Sequence, residues 1–294
     1  MSIIIPAYNY AHYLPDAINS IMDQADSDIE IIVINDGSTD NTDEVVQHLL
    51  NTHNHGFTYF KQKNQGLAAV RNRGIDLSKG EYICFLDSDD TFMENAISIF
   101  REAITSNKAI DMLVAQYYSA YKGGKKKLRG LWELTDSKED NFKNYVLSAD
   151  NTFACCSVLY KRHVFNNYQF PIQLRTYEDE PVYAYVLANF SAMNIKKPVA
   201  IVRKHEESLR HQIYHGLEVQ AADEIFNKDR LPEQLLGYKE AYLGLKHLDQ
   251  FRTLFLSHDY SSAWATYQKA FPLNKKAALR PNYSRKAVKA WFRK

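Results

Sequence analysis

Two hydrophobic rhythms alternate along the chain. Short apolar runs at Ile3–Ile5, Ile29–Ile34, Phe57–Phe60, Tyr82–Leu86 and Ile110–Ala115 read as strands, and the unbroken ones as strands buried on both faces. Between them, apolar residues recur at helical spacing. Leu14, Ala17, Ile18 and Ile21 mark a helix within His12–Gln24, and Val45, Val46, Leu49 and Leu50 mark a second. Gly66–Ile75 predicts a short third helix carrying Arg71 and Arg73, ended by Gly74 or by the Ser78-Lys79-Gly80 turn, and Glu94–Thr105 a fourth. The first strand is expected to stop at Pro6, and the second to close in the Asn35-Asp36-Gly37-Ser38 turn. Such alternation over about 115 residues predicts an α/β fold with a parallel, Rossmann-like sheet.

Further on, Phe153–Tyr160 and Pro198–Val202 read as strands, and Glu178–Ala188 as a helix opening on three acids. Gly123-Gly124-Lys125-Lys126-Lys127 reads as an exposed hairpin tip or a mobile loop. From Tyr214 the pattern is mostly helical, with breaks at Leu231-Pro232 and Phe271-Pro272.

The chemistry concentrates where the fourth strand ends. Asp87, Ser88, Asp89 and Asp90 follow a buried run, at the edge where open α/β sheets bind ligands. Crowded carboxylates repel, and Mg²⁺ or Mn²⁺ relieves that cost through one or two protein oxygens while holding substrate phosphates. The plainer alternative is that Ser88, Asp89 and Asp90 cap a helix starting near Met93. No Gly-x-Gly-x-x-Gly follows the first strand and no P-loop occurs, which disfavours a dinucleotide dehydrogenase or an ordinary NTPase.

Composition narrows the field further. With 294 residues and a formal net charge of +1, the chain can bury a large core and has no overall nucleic-acid signature. Its three cysteines, Cys84, Cys155 and Cys156, fit neither a disulfide framework nor a zinc site, and point to a reducing compartment. No leader pattern opens the sequence, and no run approaches the ~18 apolar residues of a membrane span.

Four segments together resemble family 2 glycosyltransferases of GT-A fold: Ser2–Asn9, Ile31–Thr42, Asn64–Gly74 and Gly80–Asp90, followed in the same order by Tyr177-Glu178-Asp179 and Arg203–Leu209. The resemblance covers residues 1 to about 210. It implies a GT-A domain over 1–212, with a nucleotide-binding half (1–115) and an acceptor and catalytic half (116–212), and a helical C-terminal region over 213–294. It also implies an inverting, metal-dependent transfer of a hexose or N-acetylhexosamine. The donor would be a nucleotide-diphosphate sugar, UDP-linked, and the acceptor a hydroxyl on a growing bacterial surface glycan or lipid-linked glycan.

By the same resemblance, Pro6, Ala7 and Tyr8 line the base pocket and Asp36 accepts a hydrogen bond from base or ribose. As a plain sequence feature, Asp36 is also a turn residue before Gly37. Asn64, Gly66 and Arg71 contact the base and phosphate side, although Arg71 also reads as a solvated helix arginine. Asp89 is the metal ligand, with Ser88 beside it and Asp87 on the ribose or the metal's water. His205 meets the metal and Arg203 the diphosphate. The cofactor is Mn²⁺ or Mg²⁺. Asp179 is the general base and Glu178 orients it or an acceptor hydroxyl, with Glu180 as the neighbouring register. The bland reading of all three acids is favourable charge at a helix N-terminus.

Two rivals stay open. One is a nucleotide-sugar-binding protein without catalysis. The other is a nucleotidyltransferase, which needs a basic, glycine-rich triphosphate loop that Pro6–Tyr10 does not supply. After Asp259 the chain carries no acid, and the stretch Arg285–Lys294 mixes basic residues with Val288, Trp291 and Phe292. That pattern suits an interfacial helix on anionic lipid as well as a packed or solvated last helix. The expected location is cytoplasmic, on the cytoplasmic face of the inner membrane if the tail engages lipid.

Overall fold

A computed structural model describes residues 1–54, 56–148, 153–205 and 216–294. The elements are β1 (Ser2–Ala7), α1 (Leu14–Met22), β2 (Glu30–Asn35), α2 (Thr42–Thr52), β3 (Thr58–Lys61), α3 (Leu67–Leu77), β4 (Tyr82–Phe85), β5 (Thr91–Phe92), α4 (Ala96–Ser106), β6 (Met112–Ala120), β7 (Lys126–Arg129), α5 (Lys138–Val146), β8 (Val158–Lys161), α6 (Glu180–Asn189), β9 (Ala192–Arg203), α7 (Leu217–Ile225), α8 (Lys239–Leu256), α9 (Tyr260–Leu273), α10 (Lys275–Ala278) and α11 (Pro281–Arg293). Residues 206–209 of the last matching motif, the 212/213 boundary and Tyr214 lie outside the described residues.

The strands form one sheet in the order β3-β2-β1-β4-β8-β6-β9-β5, with β7 paired to β6. The first four are parallel, as their alternation with helices predicts. At β4 the sheet turns mixed: β8 runs antiparallel to both β4 and β6, while β9 runs parallel to β6. Every residue of β1 is buried. Ile3 and Ile5 join one core with α1, α2 and α4, and Ile4 joins the opposite core with α3 and α6, as the two-residue strand period requires. The helices α8, α9 and α11 build a third core around Leu248, Phe251 and Ala270.

Several expectations change in the folded molecule. β1 runs through Pro6 to Ala7, because parallel pairing with β2 continues there. Of the two stops expected for α3, the Ser78-Lys79-Gly80 turn ends it and Gly74 does not: the helix continues to Leu77 with Ser78 as its C-cap. A Cβ at Gly74 would stand 2.4 Å from Ile4 Cγ2, so this glycine lets the helix lie close on β1. The acids after β4 do not cap the next helix: β5 intervenes, and α4 starts at Ala96 after Asn95. The short strand expected at Pro198–Val202 is the end of twelve-residue β9, whose register slips opposite Ala115, Gln116 and Tyr117. Lys196, Lys197 and Pro198 interrupt its apolar pattern at that irregularity, which hid the first half. Cys155–Ser157 forms a 3-10 turn, so of the expected strand only Val158–Tyr160 pairs, and the strand runs on to Lys161. Phe271-Pro272 lies in the last turn of α9, which ends one residue later at Leu273.

Candidate active site

The carboxyl ends of β1, β2 and β4 open on one edge of the sheet. Pro6 and Ala7 are buried there and Tyr8 is 46% exposed. Asn9 follows with φ 56°, in the left-handed region, and its side chain accepts from the Thr39 N–H at 2.7 Å. Asp36, at the end of β2, is buried. Its Oδ1 accepts from the Gln62 amide at 2.8 Å and the Gln65 N–H at 2.9 Å, and its Oδ2 from the Gly66 N–H at 2.8 Å. Three donors therefore bind this carboxylate to the turn entering α3, leaving few lone pairs for a ligand. Asn64 is exposed in that turn. Its backbone nitrogen lies 2.9 Å from where a Cβ at Gly37 would stand, and with φ 73° this explains the glycine.

Beyond β4, the Asp90 N–H donates to the Asp87 carbonyl at 2.9 Å, closing a turn that buries Ser88. Asp90 is buried. Its Oδ1 accepts from the Arg203 N–H at 3.0 Å and its Oδ2 from Cys156 Sγ at 3.6 Å. Burial, with Asp89 and Asp87 nearby, pushes its carboxyl well above the ordinary range, so Asp90 ties β9 to the site. Asp89 Oδ2 lies 2.8 Å from His205 Nε2, while His205 Nδ1 is buried without a partner among the described residues. Desolvation and the Asp87 charge push the Asp89 carboxyl up, and His205 opposes this. Among the described residues no three His, Cys, Asp or Glu side chains converge to hold a metal by themselves. An oxygen and an imidazole side by side, in a position where charge is disfavoured, nonetheless fit a divalent cation that completes its shell with substrate oxygens.

Arg71 joins this strand end to the second half of the site. Its side chain is 2% exposed, with Nη2 2.9 Å from Asp87 Oδ1 and Nη1 2.7 Å from Glu178 Oε1. The guanidinium carbon lies 5.3 Å from the Phe170 ring centre and 5.9 Å from that of Phe85. Nε is buried without a partner. Burial opposes its charge, but Cys155, Asp87, Glu178 and Asp179 around it outweigh that and hold it protonated. Arg71 is therefore not a solvated helix residue: one guanidinium draws together carboxylates from two loops.

The three consecutive acids before and at the start of α6 have distinct fates. Glu178 is taken by Arg71. Glu180 accepts from Tyr242 Oη at 2.6 Å and from Lys246 Nζ, both on α8. Asp179, the residue before α6, makes no side-chain cap bond and has no ion-pair partner among the described residues. Burial, then the Glu178 charge, pushes its carboxyl up to about 7, against the pull of Arg71. Tyr177 has φ 63°, a left-handed conformation that costs a non-glycine residue about 1–3 kcal/mol. Backbone strain thus sits two residues from the one acid left unpaired.

Arg203 goes elsewhere. Its Nη2 lies 2.7 Å from Asp16 Oδ2 and its guanidinium carbon 5.4 Å from the Tyr13 ring centre, in a shallow groove beside α1 and β5. The structure gathers Tyr8, Asp36, Gly66, Asp87 and Asp89 at the sheet edge and bridges them to Glu178 and Asp179. It engages the Arg203 side chain with α1 instead.

The family model described as Glycosyl transferase family 2 matches residues 2–169, more than half of the chain. The chain belongs to glycosyltransferase family 2. This glycosyltransferase is 37% identical to Glycosyltransferase GlyA of Streptococcus pneumoniae serotype 4 over 119 residues, 40% of this chain and 17% of that protein. It is 31% identical to Glycosyltransferase GlyG of the same organism over 150 residues, 51% of this chain and 44% of that protein. The chain thus spans less than half the length of these two relatives. In fold it is similar to residues 1–349 of S. aureus TarS in complex with UDP-GlcNAc, with a TM-score of 0.68 and 21% identity over 99% of this chain and 88% of that one. The mixed sheet with flanking helices is thereby the GT-A fold that the sequence motifs imply, with a helical C-terminal region attached.

In this family 2 glycosyltransferase, sequence reasoning missed Gln62, Tyr242 and Lys246. The α8 pair sits four residues apart, on one helix face, in a stretch that the sequence marks only as mostly helical. Nothing local marks that face as turned toward Glu180.

Proposed function

We propose that this glycosyltransferase moves a hexose or N-acetylhexosamine from a nucleotide-diphosphate sugar, UDP-linked, to a hydroxyl of a growing surface glycan, with inversion. The observation that carries the reading is the sorting of three adjacent acids: two are ion-paired, and Asp179 alone is left with a carboxyl poised near neutrality. Asp179 accepts the acceptor hydroxyl's proton as that oxygen attacks the anomeric carbon. The bond from that carbon to the diphosphate breaks, and its electron pair leaves with the nucleotide. One displacement on the face opposite the leaving group inverts the centre; here a single carboxylate serves as base, whereas in glycoside hydrolysis two flanking carboxyl groups share acid and base duty. The donor lies along the edge formed by Tyr8, Asp36 and Gly66, and Arg71 holds Asp87 facing it. Asp89 and His205 would hold Mn²⁺ or Mg²⁺, which supplies charge neutralisation for the departing diphosphate.

Support for the donor class comes from relatives of similar fold. TarS is described with UDP-GlcNAc, and the mannosyltransferase PcManGT of Pyrobaculum calidifontis, at TM-score 0.57, with GDP-Man and Mn²⁺. The test is a screen of UDP-, GDP- and dTDP-sugars by thermal shift and donor turnover with Mn²⁺. A UDP-sugar should stabilise the wild type and be turned over, and Asp89→Ala should lose the metal-dependent part of both. Binding without turnover over a broad acceptor panel would leave a nucleotide-sugar-binding protein instead.

The reading extends to an anionic membrane surface as the place of work. No described helix is long and apolar enough to cross a membrane. On α11, Tyr283, Ala287 and Ala290 face the helical core, whereas Trp291 is 47% and Phe292 73% exposed, beside Val288 and among Arg285, Lys289 and Arg293. Apolar side chains set among cations suit a lipid headgroup layer. Vesicles containing phosphatidylglycerol should co-sediment the protein in low salt, and removal of residues 285–294 should abolish this. Unchanged sedimentation after truncation would contradict it.

A further inference from the structure

The helical C-terminal region reaches into the chemistry through α8. We infer that Lys246, with Tyr242, is a positioning residue: it holds the Tyr177–Glu180 segment so that Asp179 faces the acceptor, making the C-terminal region part of the catalytic apparatus. This rests on the reading of Asp179 as the base.

The contacts are specific. Lys246 Nζ donates to Glu180 Oε1, and Tyr242 Oη donates to Glu180 Oε2 at 2.6 Å, so both oxygens of that carboxylate are held from one helix face. The same ammonium lies 4.9 Å from the Tyr177 ring centre and 5.3 Å from that of Tyr242. Lys246 therefore grips the segment at two points, two residues before Asp179 and one after it. The first of these points, Tyr177, has a left-handed backbone, a conformation that needs outside restraint. From the other side Arg71 fixes Glu178. Both neighbours of Asp179 are thus immobilised by cations from distant elements, α3 and α8. Lys246 and Glu180 are only 16% and 19% exposed, which shields the pair from the solvent screening that weakens surface ion pairs.

The clamp also has an electrostatic consequence with a defined sign. Charges near Asp179 are Glu178 and Glu180 beside it, Arg71 from α3 and Asp87 after β4. Tyr145, Cys155, Tyr160 and Tyr183 also face it, from α5, the 3-10 turn, β8 and α6. Asp249, on α8, acts on Lys246. Glu180 favours the protonated form of Asp179, and Lys246 offsets that charge. Without the ammonium, a larger share of Asp179 holds its proton at a given pH, so the acidic limb of turnover moves upward.

The experiment compares Lys246→Met, Lys246→Arg and Tyr242→Phe in the full chain, reading kcat, donor KM, the pH dependence of kcat and the melting temperature. Lys246→Met should lower kcat about tenfold or more, the effect expected of a misplaced reacting group, with donor KM nearly unchanged and the acidic limb displaced upward. Lys246→Arg should restore most of kcat and the limb. Should Lys246→Met not fold, Tyr242→Phe carries the test, with a smaller loss in kcat and the acidic limb in place, since that variant removes no charge. A lowered melting temperature with kcat and pH profile like the wild type would make the clamp merely structural and overturn the inference. Failure of the underlying reading looks different: Asp179→Asn would then keep its turnover, whereas the clamp alone fails if Asp179→Asn is inactive and the α8 variants behave as wild type.

Discussion

The donor side and the base side of this site are held together by different means. On the donor side the ties mostly run to main chain: Asp36 accepts from the N–H groups of Gln65 and Gly66, and Asp90 from that of Arg203. On the base side they run from side chain to side chain. Arg71 meets Glu178 107 residues away, and Lys246 meets Glu180 66 residues away. A main-chain tie survives most changes in neighbouring side chains. A side-chain clamp is lost with one substitution, so the base side should be the more fragile half.

The sharpest way to break that contrast is Arg71→Met. It leaves Asp87 and Glu178 facing each other with their cation gone, and losing one partner of a buried pair costs about 3–5 kcal/mol. A melting-temperature drop of that scale, together with lost turnover, is expected by calorimetry and assay. A stability change within experimental error would show that the clamp contributes little. A smaller effect should come from Gly74→Ala on the donor side, where the added methyl meets Ile4. About 1–3 kcal/mol of overpacking is expected in denaturant titration, with turnover per folded molecule retained. Turnover falling further than stability would mean that the donor side depends on fine positioning as much as the base side does.

Legibility in the sequence follows the same division. The sheet edge could be located because its residues sit on local signals: an apolar strand, a turn with Asp36-Gly37, and a strand end with Asp87 and Asp89. Fold class followed from the alternation of strands and helices, and the family from linked motifs in order. What stayed hidden depended on tertiary placement. Local pattern alone does not separate Glu178, Asp179 and Glu180, since all three are equally good at a helix start; the family resemblance singles out Asp179, and in the fold the partners of its neighbours on α3 and α8 set the three apart. Arg203 read as a phosphate ligand because its pairing with Asp16, 187 residues away, has no local signature. β9 was truncated in the reading because its bulge carries Lys196, Lys197 and Pro198.

The most direct test of the central claim is turnover and donor binding measured on Asp179→Asn beside Glu178→Gln and Glu180→Gln, with donor affinity taken from isothermal titration. If Asp179 removes the acceptor's proton, Asp179→Asn keeps donor affinity and loses at least ~10²-fold in kcat. Glu180→Gln keeps measurable turnover, because its carboxylate serves only to be gripped. Full activity in Asp179→Asn, with the loss appearing in a neighbour instead, would contradict the assignment of the base.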